Sequence, residues 1–254
     1  GLTYVDWQDW LAATRLAVRE AKRLTGNDVP LHIVGFSNGG ALAMKYSLDA
    51  LDNAELAKPQ RVILISPMIG ITSFARFSGL AGWPAFLPAF SKAAWLNIMP
   101  EFNPFKYNSF PTNAARQSFL LTKALQKQIV TDSRNHRLNS LPPVLTFQSV
   151  VDSTVSTRAI VTALYNRLPE NGSEIVLFDL NHAVRFNSLL RRTSYTALAR
   201  LLTAPPRAYQ TTIITNANSA STDMEIRTTP AGKTDTTVEK LQGMRYLPDV
   251  YSLS

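Results

Sequence analysis

An α/β protein with a predominantly parallel sheet flanked by helices is predicted by three observations. Short apolar runs alternate with amphipathic stretches along most of the chain, which is the pattern of strand–helix–strand units with right-handed crossovers. The run Arg61-Val62-Ile63-Leu64-Ile65-Ser66 is continuously apolar at its centre, as a buried strand of a parallel sheet is expected to be. Gly35-Phe36-Ser37-Asn38-Gly39-Gly40 lies between a strand-like and a helix-like stretch, so a sharp turn must join them.

The elements follow in order. Thr3-x-x-Asp6 resembles a helix N-terminal box. Trp7, Trp10, Leu11, Ala17, Val18, Ala21 and Leu24 then recur at helical spacing, and Gly26 stops the helix. Val29 to Val34 reads as a strand, and the residues from Ala41 to about Leu51 as a helix. After the run at 61–66, strands are expected at Val144 to Phe147 and at Glu174 to Phe178. Between these two, Thr157 to Leu168 reads as a helix with Ile160, Val161, Leu164 and Leu168 inward, ended by Pro169. A last helix is expected from Asn187 to Leu202, closed by Pro205-Pro206.

Two stretches break the alternation. Residues 73–141 form an insertion rich in Phe, Trp, Pro and Asn, far longer than a simple crossover needs. It is expected either to be a helical cap that supplies an apolar substrate pocket, or to be a structural excursion that buries its own aromatics. Residues 205–254 are Thr-rich and polar, with one strand-like run from Tyr209 to Thr215. They are expected to be a C-terminal extension, ordered or partly disordered. The core is then 1–72 together with 142–204.

Composition narrows the function classes. The net charge is +8, but Lys and Arg are scattered and no aromatic–basic ladder is present. A solvated surface is therefore expected rather than a nucleic-acid partner. No segment is apolar over the length needed to span a bilayer. There are no cysteines, which excludes disulfides and thiolate metal sites. No His, Asp or Glu cluster has metal-ligand spacing, and no phosphate loop is visible, so no metal or cofactor is expected. The chain opens on Gly1-Leu2-Thr3-Tyr4 without Met, and both ends are expected to be cut from a longer protein.

Gly35-x-Ser37-x-Gly39 reads as a nucleophile elbow, a serine on a strained strand-to-helix turn where a Cβ at Gly35 or Gly39 would crowd the backbone. The bare pattern arises by chance in roughly one chain of this length in ten, so the flanking strand and helix carry the argument. A serine hydroxyl needs a base to take its proton and a carboxylate to orient that base. Open α/β sheets place such groups past the carboxyl ends of their strands. Asp152 lies past the strand 144–147, and His182 lies past the strand 174–178. Each has a plainer reading: Asp152 as a helix N-terminal acid, His182 as a surface-loop histidine. His32, in the pre-elbow strand, and His136, in the insertion, look structural.

The elbow, the Asp152-x-x-Val155 loop and Asn181-His182-Ala183 thirty residues later resemble the α/β-hydrolase family. The similarity is to its esterase, lipase and serine-aminopeptidase-like branch, and it covers about residues 3 to 202. It implies that Ser37 is the nucleophile, His182 the general base and acid, and Asp152 the orienting carboxylate. The backbone N–H of Asn38 would be half of the oxyanion hole. The implied activity is hydrolysis of a small-molecule or lipid carboxylic ester. The family's earlier strands and its His-Gly-type oxyanion loop have no match here, so the second oxyanion donor is expected outside this chain. The polar tail leaves open a catalytic histidine beyond Ser254. The alternative expectation is a non-catalytic module of the same fold, or an inactive fragment.

Overall fold

The computed structural model describes residues 4–70, 95–97, 110–152, 155–183, 197–247, 250 and 252. Helix α1 (Trp7–Thr25) leads to β1 (His32–Phe36), α2 (Asn38–Asp52) and β2 (Arg61–Ile65). Two short antiparallel strands, β3 (Trp95–Asn97) and β4 (Phe110–Pro111), precede α3 (Thr112–Arg134). Then come β5 (Val144–Ser149), a helical segment α4 (157–167) and β6 (Glu174–Phe178). The chain continues through α5 (Ala197–Leu201) to β7 (Gln210–Asn216), β8 (Asp223–Thr229) and β9 (Thr237–Arg245).

Seven strands form one sheet in the order β1-β2-β5-β6-β7-β8-β9. The first five run parallel, and β8 and β9 close the series antiparallel. The parallel α/β expectation therefore holds, with a larger sheet than the sequence suggested. The Thr-rich residues 205–254 were expected as an extension, and they supply three of the seven strands. Their sequence hides this because threonine does the work of valine there. It is β-branched and fits a pleated strand, yet it carries no apolar signal. Thr211 and Thr215 of β7 are 0% and 5% exposed.

One sheet face is thoroughly buried. Val62 and Leu64 of β2, Val144 of β5, and Ile175 and Leu177 of β6 pack with Met44 and Leu48 of α2. Helix α3 adds Leu121, Leu125 and Ile129, four residues apart on one stripe. So residues 112–134, although inside the expected cap, pack on the core. The aromatic part of that insertion lies outside the described residues. Segment α4 brings Ile160, Val161 and Leu164 inward as expected, but through an α, then π, then 3-10 geometry. Tyr165 at its end meets Tyr209 edge-to-face at 4.9 Å between ring centroids and donates its hydroxyl to Glu174 O at 2.6 Å.

The opposite face is barer at its β1 end. Phe36 and Ile65 are register partners there, exposed by 63% and 40%, and Val34 by 62%. Strand β1 starts at His32 rather than Val29. Helix α1 starts at its N-cap Asp6, whose backbone N–H donates to Asp9 Oδ2 at 3.0 Å; the Thr3 part of the expected box lies outside the described residues. Leu11 and Val18 of α1 are buried on Tyr46 and Ala50, but Ala17, Ala21 and Leu24 face outward. The contact between α1 and α2 is a narrow stripe that those three positions miss. The expected helix 187–202 is described only as α5. Among the described residues, no helix is long and apolar enough to cross a membrane.

Candidate active site

Ser37 occupies the turn between β1 and α2 with φ 53° and ψ −119°. That conformation is disfavoured for a residue with a Cβ and persists only when its surroundings hold it. Three backbone bonds do so. Ser37 N–H donates to Ile65 O at 3.0 Å, and Ser37 O accepts from Gly40 N–H and Met68 N–H, each at 3.0 Å. The glycines leave room for the turn. A Cβ on Gly35 would come within 2.5 Å of Gly39 O and 2.7 Å of Gly40 Cα. At Gly39 the expectation of crowding fails, because a Cβ there would meet nothing within 4 Å. The second crowded glycine is Gly40, whose Cβ would lie 2.6 Å from Pro67 Cβ. Helix α2 runs away from the turn, so the small residue is needed where Pro67, two residues past β2, crosses it.

Asn38 is the first residue of α2, and N–H groups of a first helical turn have no intrahelical acceptor. Ser37 itself is half-buried and reachable from solvent. Ser66, past the end of β2, is a second non-glycine residue at positive φ, 43°. Strained backbone thus recurs at the carboxyl ends of two adjacent strands.

Asp152 lies past β5 on the same sheet edge. Its Oδ1 accepts Val155 N–H at 2.9 Å and its Oδ2 accepts from Gln148 Nε2 at 3.2 Å. The cap of α4 is Ser156, whose Oγ accepts Ala159 N–H at 3.2 Å. Asp152 therefore shapes the loop before the helix rather than capping the helix.

His182 lies four residues past β6, on that same edge. Its Nε2 pairs with Asp179 Oδ2 at 3.0 Å. Asp152 is the carboxylate expected at the imidazole, and Asp179 is a second carboxylate that meets it. Asp179 is held in turn by Leu180 N–H at 2.8 Å and Thr215 Oγ1 at 2.9 Å. His182 N–H donates to Asn216 Oδ1 at 2.7 Å. Ser37, Asp152 and His182 thus share the carboxyl edge of β1, β5 and β6. At about 4.8 Å per strand, the ends of β1 and β6 are roughly 14 Å apart.

Among solved structures similar to this chain, one matches its fold at a TM-score above 0.5 and a second more weakly. One, reported with the metagenome-derived lipolytic enzymes LipS and LipT, is 16% identical over 79% of this chain and 75% of its own, with a TM-score of 0.51. The other is a soluble variant of the monoglyceride lipase of Saccharomyces cerevisiae in complex with a substrate analogue. It is 13% identical over 68% of this chain, with a TM-score of 0.45, and this chain spans 60% of its length. The fold is α/β-hydrolase-like. No family model matches the sequence, and no curated protein is significantly similar to it.

Within this α/β-hydrolase-like fold, sequence reasoning missed Asp179, Ser66 and the two asparagines beside His182. Asp179-x-x-His182 was legible as a carboxylate and an imidazole at one strand end. Asn216 carried no signal, because it comes from β7, in the stretch read as an extension.

Proposed function

We propose that the chain is a serine hydrolase acting on a carboxylic ester through an acyl-enzyme on Ser37. The observation that carries this reading is the strained Ser37 backbone at the start of a fifteen-residue helix, on the edge that also holds Asp152 and His182. In this reading Ser37 Oγ attacks the ester carbonyl carbon, and His182 takes the hydroxyl proton. The carbonyl oxygen becomes an oxyanion, and the Asn38 N–H donates to it. Collapse of the tetrahedral intermediate breaks the bond to the alkoxy group, which leaves with the proton from His182. Water, deprotonated by His182, then releases the acid and restores Ser37. Asp179 and Asp152 are the two carboxylates that can hold the imidazole. With Asp179 taking Nε2–H, the basic lone pair lies on Nδ1. The Phe- and Trp-rich stretch at 73–141 favours an apolar acyl or alkyl group, such as a short-to-medium chain ester or a lipid ester.

Fluorophosphonate labelling with peptide mapping tests the reading. Wild-type protein should label at Ser37, and Ser37→Ala should neither label nor turn over p-nitrophenyl esters while keeping its circular dichroism. Turnover retained in Ser37→Ala would remove the assignment. A second reading, a non-catalytic binding module, draws on Val34 and Phe36, exposed by 62% and 63% on the edge strand β1. An unlabelled wild-type protein would select it.

A further inference from the structure

The loop that carries His182 is held by two buried asparagines, one of which fastens it to Leu247 and Val250. Asn181 is 0% exposed and Asn216 is 3% exposed. Asn181 Nδ2 donates to Val250 O at 3.0 Å and to Leu247 O at 3.3 Å, and its Oδ1 accepts Ala183 N–H and Asn216 Nδ2, each at 3.1 Å. Asn216 Nδ2 also donates to Ser221 O at 2.7 Å, while its Oδ1 takes His182 N–H. Every donor and acceptor of the two amides that these bonds use faces a partner of the matching kind. Their orientation is therefore fixed, and a flipped amide would set oxygen against carbonyl oxygen. Tyr246 seals the same junction, its hydroxyl donating to Asp179 O at 3.0 Å and to Ile214 O at 3.3 Å. Burial, and then the nearby Asp179 charge, push that phenol well above its ordinary range, so it remains a donor at working pH.

We infer that Asn181 and Asn216 are positioning residues: Asn181 clamps Leu247 and Val250 to the carboxyl edge of the sheet, Asn216 holds the backbone of His182, and together they fix His182 relative to Ser37. This rests on the hydrolase reading above. Neither side chain touches substrate in this scheme. Both act on the backbone: Asn216 on that of His182, and Asn181 on that of the C-terminal residues. Leu247 and Val250 are thereby held beside the loop that carries His182. A shift of about 1 Å at a catalytic group costs on the order of 100-fold in rate, so the clamp should be visible in kcat.

The test uses Asn181→Asp and Asn216→Asp, which keep the side-chain shape and replace a donating NH2 with an accepting oxygen. Asn218→Asp, an exposed position on the β7–β8 turn, controls for added charge. Turnover of p-nitrophenyl butyrate, the rate of fluorophosphonate labelling and hydrogen exchange at Tyr246 and Val250, whose N–H groups donate to Thr222 O and Leu247 O, are measured on the full chain. The expected result is a kcat lowered about 10–100-fold with KM within about twofold. Faster exchange at those two amides and an unchanged Asn218→Asp should accompany it. If kcat per folded molecule is unchanged in both clamp variants while wild type is active, the inference falls and the hydrolase reading stands. If kcat falls only in proportion to lost folded protein, the clamp is structural and the inference also falls. If wild type neither labels nor turns over, the hydrolase reading fails and takes the inference with it.

Discussion

Two carboxylates lie at the sheet edge, and single substitutions separate them. Asp179 pairs with His182 at 3.0 Å, whereas Asp152 takes the Val155 N–H of its own loop. Asp179→Asn should lower the rate of Ser37 labelling by about 10²–10⁴-fold, the size expected when an imidazole loses its orienting carboxylate. Asp152→Asn should cost less. The reverse ranking, read from labelling kinetics, would return the orienting role to Asp152. The glycines separate in the same way. Gly35→Ala meets backbone atoms at 2.5 Å and 2.7 Å, so it should destabilise by about 1–3 kcal/mol in urea unfolding. Gly39→Ala meets nothing within 4 Å, lies in a helix, and should be neutral or stabilising by up to about 1 kcal/mol. The motif made these two glycines look equivalent, because a pattern records spacing and not which side of the turn is crowded.

Helices α1, α2 and α3 meet at one acid. Asp49 of α2 takes Arg15 Nη2 from α1 at 2.7 Å and Gln128 Nε2 from α3 at 3.1 Å, and it pairs with Lys45. Burial alone would push this carboxyl up. Lys45, Arg15 and Gln128 outweigh that and hold it below its ordinary value. A carboxyl whose folded pKa is depressed adds stability above its unfolded pKa and loses it as pH falls through the folded value. Wild type should therefore lose stability on acidification below the ordinary carboxylate range more steeply than Asp49→Asn, as read by urea midpoints at pH 2 to 6. Equal slopes would mean the three-helix junction adds no proton-linked stability. Periodicity located α1, and the turn at Ser37 announced α2, whereas α3 lay unread inside the 73–141 insertion. Periodicity could not say that their polar faces converge on Asp49, because residues 15, 49 and 128 are brought together only by packing.

For the whole molecule, the question is where the sheet ends. Three of its seven strands lie in the Thr-rich stretch, and β7 covers the edge of β6 along five register pairs from Glu174↔Gln210 to Phe178↔Ile214. A chain stopped after Pro206 should lose cooperative unfolding and bind a hydrophobic dye. Retention of a sharp urea transition would show that β7–β9 is dispensable. By itself the sequence determined the parallel α/β class, the strands read at 61–66, 144–147 and 174–178, the Ser37 turn, and the loops that hold Asp152 and His182. Those features are local, and apolar periodicity or backbone strain around glycine writes them directly into neighbouring residues. Only the tertiary structure decided that the polar tail belongs to the sheet, that Asn181 ties the His182 loop to Val250, and that Asn216 holds the backbone of His182. Buried threonines, asparagines and aspartates earn their places by partners 34 to 69 residues away, and no reading of spacing along the chain can pair hydrogen-bond donors with acceptors at that distance.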